Sequence, residues 1–350
     1  MKNDSFFNEL SRRQFLTITR NITVATVAGG LLMPVRPLWA APTKAMIGNF
    51  GSANPQTFGK ATDSFQKALG ANVQVTYVPI NSGAQVVTTI AGGSLDLCNA
   101  GSMSIVVAYA NGVKMKMVYI EKYITDSECL VVRKGKGIKK LEDLRGRNIA
   151  LPFNTSVHYA MLAALDTVHM TNADVKLIDM KPDAIVAAWK RKDIDVSFIW
   201  MPVLNYALED GGEIMMTTAD LQKYGVLAFD GIVCRDEFSA NHPDLVLAYL
   251  KEYDRICKIY TENPEEVVSV MNKYLGITPE IARAYVQSFH PLTPKEMATK
   301  TWMGLPGDKD TGLLKTLKGQ AEFLKSAGQL TNMPESFAPV VDTSFLAKMI

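Results

Sequence analysis

Thr155 and Ser156 stand where a short apolar segment, 149–151, gives way to a run with Val157, Met161, Leu165 and Val168 at helical spacing. With Asn154 ahead of them they are good helix-capping residues, so two hydroxyls and the free N–H groups of a first helical turn converge on one point. The helix dipole adds partial positive charge, and such a junction can hold an anion without a full counter-charge. The same residues would equally cap an ordinary helix. Other chemistries find less support in the residue types. His158 follows the two hydroxyls closely but forms no triad with them, and the four histidines show no metal-ligand spacing. Cys98, Cys129, Cys234 and Cys257 include no C-x-x-C pair, and each lies in an apolar stretch that suits a buried thiol. Neither a metal nor a cofactor is expected.

The elements that would carry this junction follow from composition and pattern. A chain of 350 residues, 47% apolar and 21% charged, can bury a sizeable core and suggests about two domains. Its first forty residues differ from the rest. Arg12 and Arg13 precede Phe15 and Leu16, an apolar run covers 22–33, and Ala40 and Ala41 follow, which reads as a twin-arginine export signal cleaved near Ala40. The run is short of the roughly 20 residues a membrane-spanning helix needs. Residues 1–40 carry a net charge of +3 of the chain's +2, so the remainder is −1 and offers no basic face for nucleic acid or lipid.

Beyond the signal, strands are expected over 44–50, 73–78 and 95–98, and helices over 57–69 and 84–91. Asn81 and Ser82 sit in one strand-to-helix turn, Ser102 in another. Alternating strands and helices argue for α/β lobes with parallel sheets, which gather ligands at the carboxyl ends of their strands. Residues 86–98 match 185–197 without a gap, 99 positions later, with Asp96 and Asp195 equivalent. Two similar lobes are implied, and the register sets 101–103 opposite 200–202. Two apolar runs, each opened by an acid and closed by an arginine, Glu128 to Arg133 and Asp230 to Arg235, read as paired crossings between the lobes. Helices near 243–260, 264–274, 279–289 and 309–327 complete the chain.

The segments 81–84, 99–102, 127–132, 151–159, 187–195 and 199–202 together resemble the periplasmic substrate-binding proteins of ABC importers, in the nitrate, sulfonate and taurine group. The resemblance covers roughly Ile47 to the carboxyl terminus. It implies the two-lobed periplasmic-binding-protein fold of type II, with residues 41–128 and 234–350 in one lobe and 129–233 in the other. It also implies a small ligand held between the lobes, taurine or a similar short aminosulfonate. Asn81 would belong to the ligand site, Ser82, Ser102, Thr155 and Ser156 would hold the sulfonate, Glu128 and Asp230 would neutralise the ammonium, and Trp200 would wall the site. The family pattern has an acid where this chain has Asn81, and a proline at Ser104, so an alkanesulfonate or another small anion stays open as ligand. The implied setting is the periplasm, with a monomer passing its ligand to an ABC permease and ATPase complex and touching the membrane only through it. A ligand-loaded sensory partner is the other reading, and catalysis has only fold-level analogy behind it.

Replacing Arg12 and Arg13 together with lysine should leave precursor in the cytoplasm, as cell fractionation would show. Normal export of the double variant would favour the general secretion route.

Overall fold

Residues 86–98 and 185–197, which match in sequence, fold alike, and the rest of the architecture is arranged about them. A computed structural model describes residues 42–153, 155–224 and 228–350; Asn154 and the expected signal lie outside them. The strands are β1 (Thr43–Asn49), β2 (Val73–Pro79), β3 (Leu97–Gly101), β4 (Met115–Tyr123), β5 (Glu128–Arg133), β6 (Asn148–Leu151), β7 (Lys176–Asp179), β8 (Val196–Trp200), β9 (Gly212–Thr217) and β10 (Phe229–Arg235). The helices among them are α1 (Pro55–Ala61), α2 (Ser64–Leu69), α3 (Gly83–Ala91), α4 (Ser102–Ala110), α5 (Ser156–Asp166), α6 (Pro182–Arg191) and α7 (Val203–Glu209). After β10 come α8 (Asp236–Asn241), α9 (Pro243–Glu262), α10 (Pro264–Leu275), α11 (Pro279–Gln287), α12 (Pro294–Met297), α13 (Gly312–Ser326) and α14 (Ser344–Ala347).

Two five-stranded sheets result, ordered β2-β1-β3-β10-β4 and β7-β6-β8-β5-β9. The orders are the same when β6, β7, β8 and β9 stand for β1, β2, β3 and β4. The 99-residue offset carries the bounds of β3 onto those of β8, residue for residue. The α/β class and the two-lobed architecture expected from sequence are therefore present. The sheets are mixed rather than wholly parallel, because each takes in one strand that returns from the other lobe and so runs reversed. β10 pairs antiparallel with β3 and β4, and β5 with β8 and β9.

This pairing corrects the expected crossings. β5 lies wholly in the second sheet and β10 wholly in the first, so the crossings fall just ahead of Glu128 and Phe229, and the boundary placed at residue 233 falls inside a strand of the first lobe. Each returning strand is fixed at its far end in the same way. The Arg235 backbone N–H donates to the Asp96 carbonyl at 2.9 Å, and its guanidinium donates to Asp96 Oδ1 from Nη2 at 2.7 Å. The Arg133 N–H donates to the Asp195 carbonyl at 2.8 Å, with Nε 3.6 Å from Asp195 Oδ1. Arg133 is almost buried and also donates to the carbonyls of Trp189 and Asp210, at 2.6 and 2.9 Å. The acids that recur in the sequence are thus anchors for the arginines that end the two returning strands.

The helix expected over 57–69 divides at Thr62 and Asp63. Asp63 takes the left-handed conformation, φ 55°, which Asp tolerates better than most residues. The break lets the Phe65 ring lie across Gly59, where even a Cβ would meet it at 2.2 Å. Phe65 then stacks on Tyr249 of α9, centroids 4.6 Å apart. The carboxyl-terminal helices pack on the first lobe, whose core takes in Tyr249, Tyr253, Leu317 and Leu324. Tyr159 of α5, a helix of the second lobe, joins that core and meets Phe323 of α13 edge-on at 5.3 Å. No helix among the described residues is long and apolar enough to cross a membrane.

Candidate functional site

A cleft opens between the two sheets where the carboxyl ends of β1, β3, β6 and β8 meet the first residues of β5 and β10, the position that open α/β sheets favour for ligands. Its lining includes Glu128, Thr155, Ser156, Trp200 and Asp230 from the sequence-predicted set. Asn81, Ser82 and Ser102 are absent from that lining, for local reasons. Asn81 is exposed, and the Ser82 hydroxyl accepts the Gln85 N–H at 3.2 Å as the cap of α3. Ser102 is fully buried and accepts a hydrogen bond from Gln320 Nε2 of α13 at 2.9 Å, so it joins α4 to the carboxyl-terminal helices.

The expected strand-to-helix junction forms at α5, but its hydroxyls are directed differently from expectation. The Thr155 hydroxyl donates to the Pro152 carbonyl at 2.6 Å, and the Ser156 hydroxyl donates to Glu128 Oε1 at 2.5 Å. His158 and Tyr159 donate the first bonds of the helix, both to the Thr155 carbonyl, so the N–H groups of Ser156 and Val157 lie ahead of the ladder. Gly101 faces this end: a Cβ there would stand 3.7 Å from Ser156 N and 3.5 Å from Asp230 Oδ1. These are ordinary contact distances, so an added methyl would touch both the helix end and the acid without displacing either.

Directly beside the helix end lies an acid-rich wall. Glu128 is 4% exposed and Glu121 1%, and each has a shielded Oε2 without a hydrogen-bond partner. Both line the cleft with Lys122, whose Nζ lies 3.4 Å from Asp230 Oδ2. Glu121 and Lys122 were not singled out from the sequence. Consecutive strand residues ordinarily face opposite sides, yet here the register passes from Asp230↔Lys122 to Gly231↔Ile120, leaving Glu121 as an extra residue in β4. That bulge brings both side chains to the cleft. The available signal was a charged pair directly after the apolar run 117–120.

Burial pushes the Glu128 carboxyl up to about 8, and the Asp230 charge adds to the rise, against the Ser156 hydrogen bond and Lys122. Glu121 is pushed up to about 7, first by burial and then by Asp230, with Lys122 opposing. Burial works against the Lys122 charge as well, but Asp230, Glu121 and Glu128 outweigh it and hold the lysine above its ordinary value. His158 is buried, stacked on Phe153 at 4.3 Å, and pushed down to about 4 by desolvation, so at neutral pH it adds no positive charge. The four thiols are buried and raised, Cys129 to about 12, which leaves no thiolate among them at neutral pH. No cluster of metal-ligating residues occurs among the described residues.

Residues 69–267 match the family described as NMT1/THI5 like. The chain belongs to the NMT1/THI5-like family. By sequence, the chain is similar to the taurine-binding periplasmic protein of Escherichia coli, 30% identical over 301 residues that span 84% of this chain and 90% of that one. Among solved structures, the NMT1/THI5-like chain shares its fold with the alkanesulfonate-binding protein SsuA of Xanthomonas axonopodis, bound there to MOPS. The TM-score is 0.74 at 17% identity, covering 87% of this chain and 100% of that one. The desulfurization enzyme DszB has the same fold at TM-score 0.58 and 13% identity, covering 88% of this chain and 98% of its own, so the architecture alone does not decide between binding and catalysis.

The raised carboxyls make stability depend on pH. Their ordinary value is 4.5, so both hold protons more tightly in the folded state; the stability this confers is full below about pH 4.5 and is lost as the pH rises through 7 to 8. Without added ligand, Tm should fall by on the order of 5 °C between pH 6 and 9, and Glu128→Gln should flatten that fall. A slope unchanged by the substitution would show that Glu128 is not a titrating group.

Proposed function

We propose that the cleft binds a short sulfonate bearing a primary amine, with taurine the simplest case, and that the loaded protein delivers it to an ABC importer in the periplasm. The observation that carries this reading is Glu128: buried at the cleft wall, with Oε1 held by Ser156 and Oε2 without a partner, it lacks a donor that an ammonium would supply. The α5 end supplies N–H groups for a sulfonate a short distance away, and Asp230 stands beside both. A zwitterion fits this arrangement because it brings a cation for the acids and an anion for the α5 N–H groups, which stand close together. The name of the Escherichia coli relative supports the choice of ligand, and its periplasmic setting supports delivery to an importer.

The Lys122–Asp230 pair favours a second reading, an alkanesulfonate without an amine, because the chain already places an ammonium against one of the acids. Calorimetry with taurine and ethanesulfonate separates the two. Removing one side of a desolvated charge pair costs roughly 3–5 kcal/mol, so Glu128→Gln should weaken taurine binding by a factor on the order of hundreds. Ethanesulfonate, which brings no cation to Glu128, should bind the variant as well as the wild type or better. Equal losses for both ligands would mean that Glu128 shapes the cleft and does not read the amine.

A further inference from the structure

The cleft contains a conflict of charge. Asp230 Oδ1 and the Ser156 N–H both lie within 3.7 Å of one point, the position a Cβ on Gly101 would take. An unpaired carboxylate there would repel the anion that the helix end is built to attract, and Glu121 and Glu128 add two more acids to the same wall. Lys122 is the cation that meets them. Its Nζ is 3.4 Å from Asp230 Oδ2 in a pocket where both side chains are about a fifth exposed, and the bulge at Glu121 aims it there.

We propose that Lys122 is a specificity-determining residue: its ammonium neutralises Asp230, so that a sulfonate can approach the α5 end, and recognition of the ligand's own amine is left to the buried glutamates. The inference rests on the sulfonate reading given above. Lys122 acts on the ligand through Asp230, and its removal has unequal consequences. In Lys122→Gln a ligand that carries an ammonium can replace the missing charge, whereas one without it meets a bare carboxylate beside its sulfonate.

Calorimetry at pH 7 with taurine and ethanesulfonate tests this, with the fold of each variant checked by melting temperature. Lys122→Gln should weaken ethanesulfonate by on the order of tenfold or more and taurine by distinctly less, so the preference for taurine rises. Lys122→Arg, which keeps the charge, should restore the wild-type preference. Combining Lys122→Gln with Asp230→Asn removes both charges and should recover ethanesulfonate binding. Asp230→Asn alone should tighten it, and that variant carries the test if Lys122→Gln fails to fold. Equal losses for the two ligands, or no recovery in the double variant, would overturn the inference and make Lys122 a direct sulfonate ligand or a structural prop. Wild-type protein that binds neither ligand would overturn the sulfonate reading and the inference together, whereas wild-type binding that is indifferent to Lys122 would overturn the inference alone.

Discussion

Each sheet depends on a strand that it receives from the opposite lobe. A reversed strand inserted beside β3 or β8 has its first residue at the cleft and its last at the distant edge, where an arginine closes on an aspartate at the start of the neighbouring strand. The anchors at Asp96 and Asp195 fix the register of β10 and β5, and register fixes where the opening acids stand. Asp230 and Glu128 face one cleft because two equivalent strands are pinned at equivalent far ends. The topology explains why acids at the two crossings face the same cleft as the amino end of α5, which is held toward the first lobe by the Tyr159–Phe323 contact.

The cost of this arrangement is electrostatic. Buried carboxylates are unfavourable unless protonated, paired or hydrogen-bonded, and the three acids here use all three devices. Asp230 has Lys122, Glu128 has one oxygen on the Ser156 hydroxyl, and burial shifts Glu121 and Glu128 toward their protonated forms. A group maintained so close to its titration point is readily ionised by an arriving cation, as a binding site for an amine requires. The same groups limit stability at high pH, a conflict expected where a buried acid serves binding more than folding.

Much of this was legible in the sequence because it is written in local pattern. The 99-residue match placed α3–β3 and α6–β8 correctly, and the acid-to-arginine runs located both returning strands. Their sheet membership was not legible, since an apolar strand with partners on both sides looks the same whichever lobe supplies them. At the cleft, Thr155, Ser156, Glu128, Trp200 and Asp230 could be singled out because they stand at strand and helix ends. Ser82 and Ser102 share that signature but serve a helix cap and a contact with Gln320, a residue 218 positions away that no local reading reaches. Glu121 and Lys122 carry no such signature, because strand alternation would send one of them away from the cleft and only the bulge reverses that.

The central claim is that Glu128 holds a proton until a ligand ammonium replaces it. Calorimetry of taurine binding at pH 7 in buffers of different ionisation enthalpy measures that exchange directly. The account predicts release of a substantial fraction of one proton per taurine bound, and little or none with ethanesulfonate. Taurine binding with no buffer dependence, or with net uptake of protons, would contradict it.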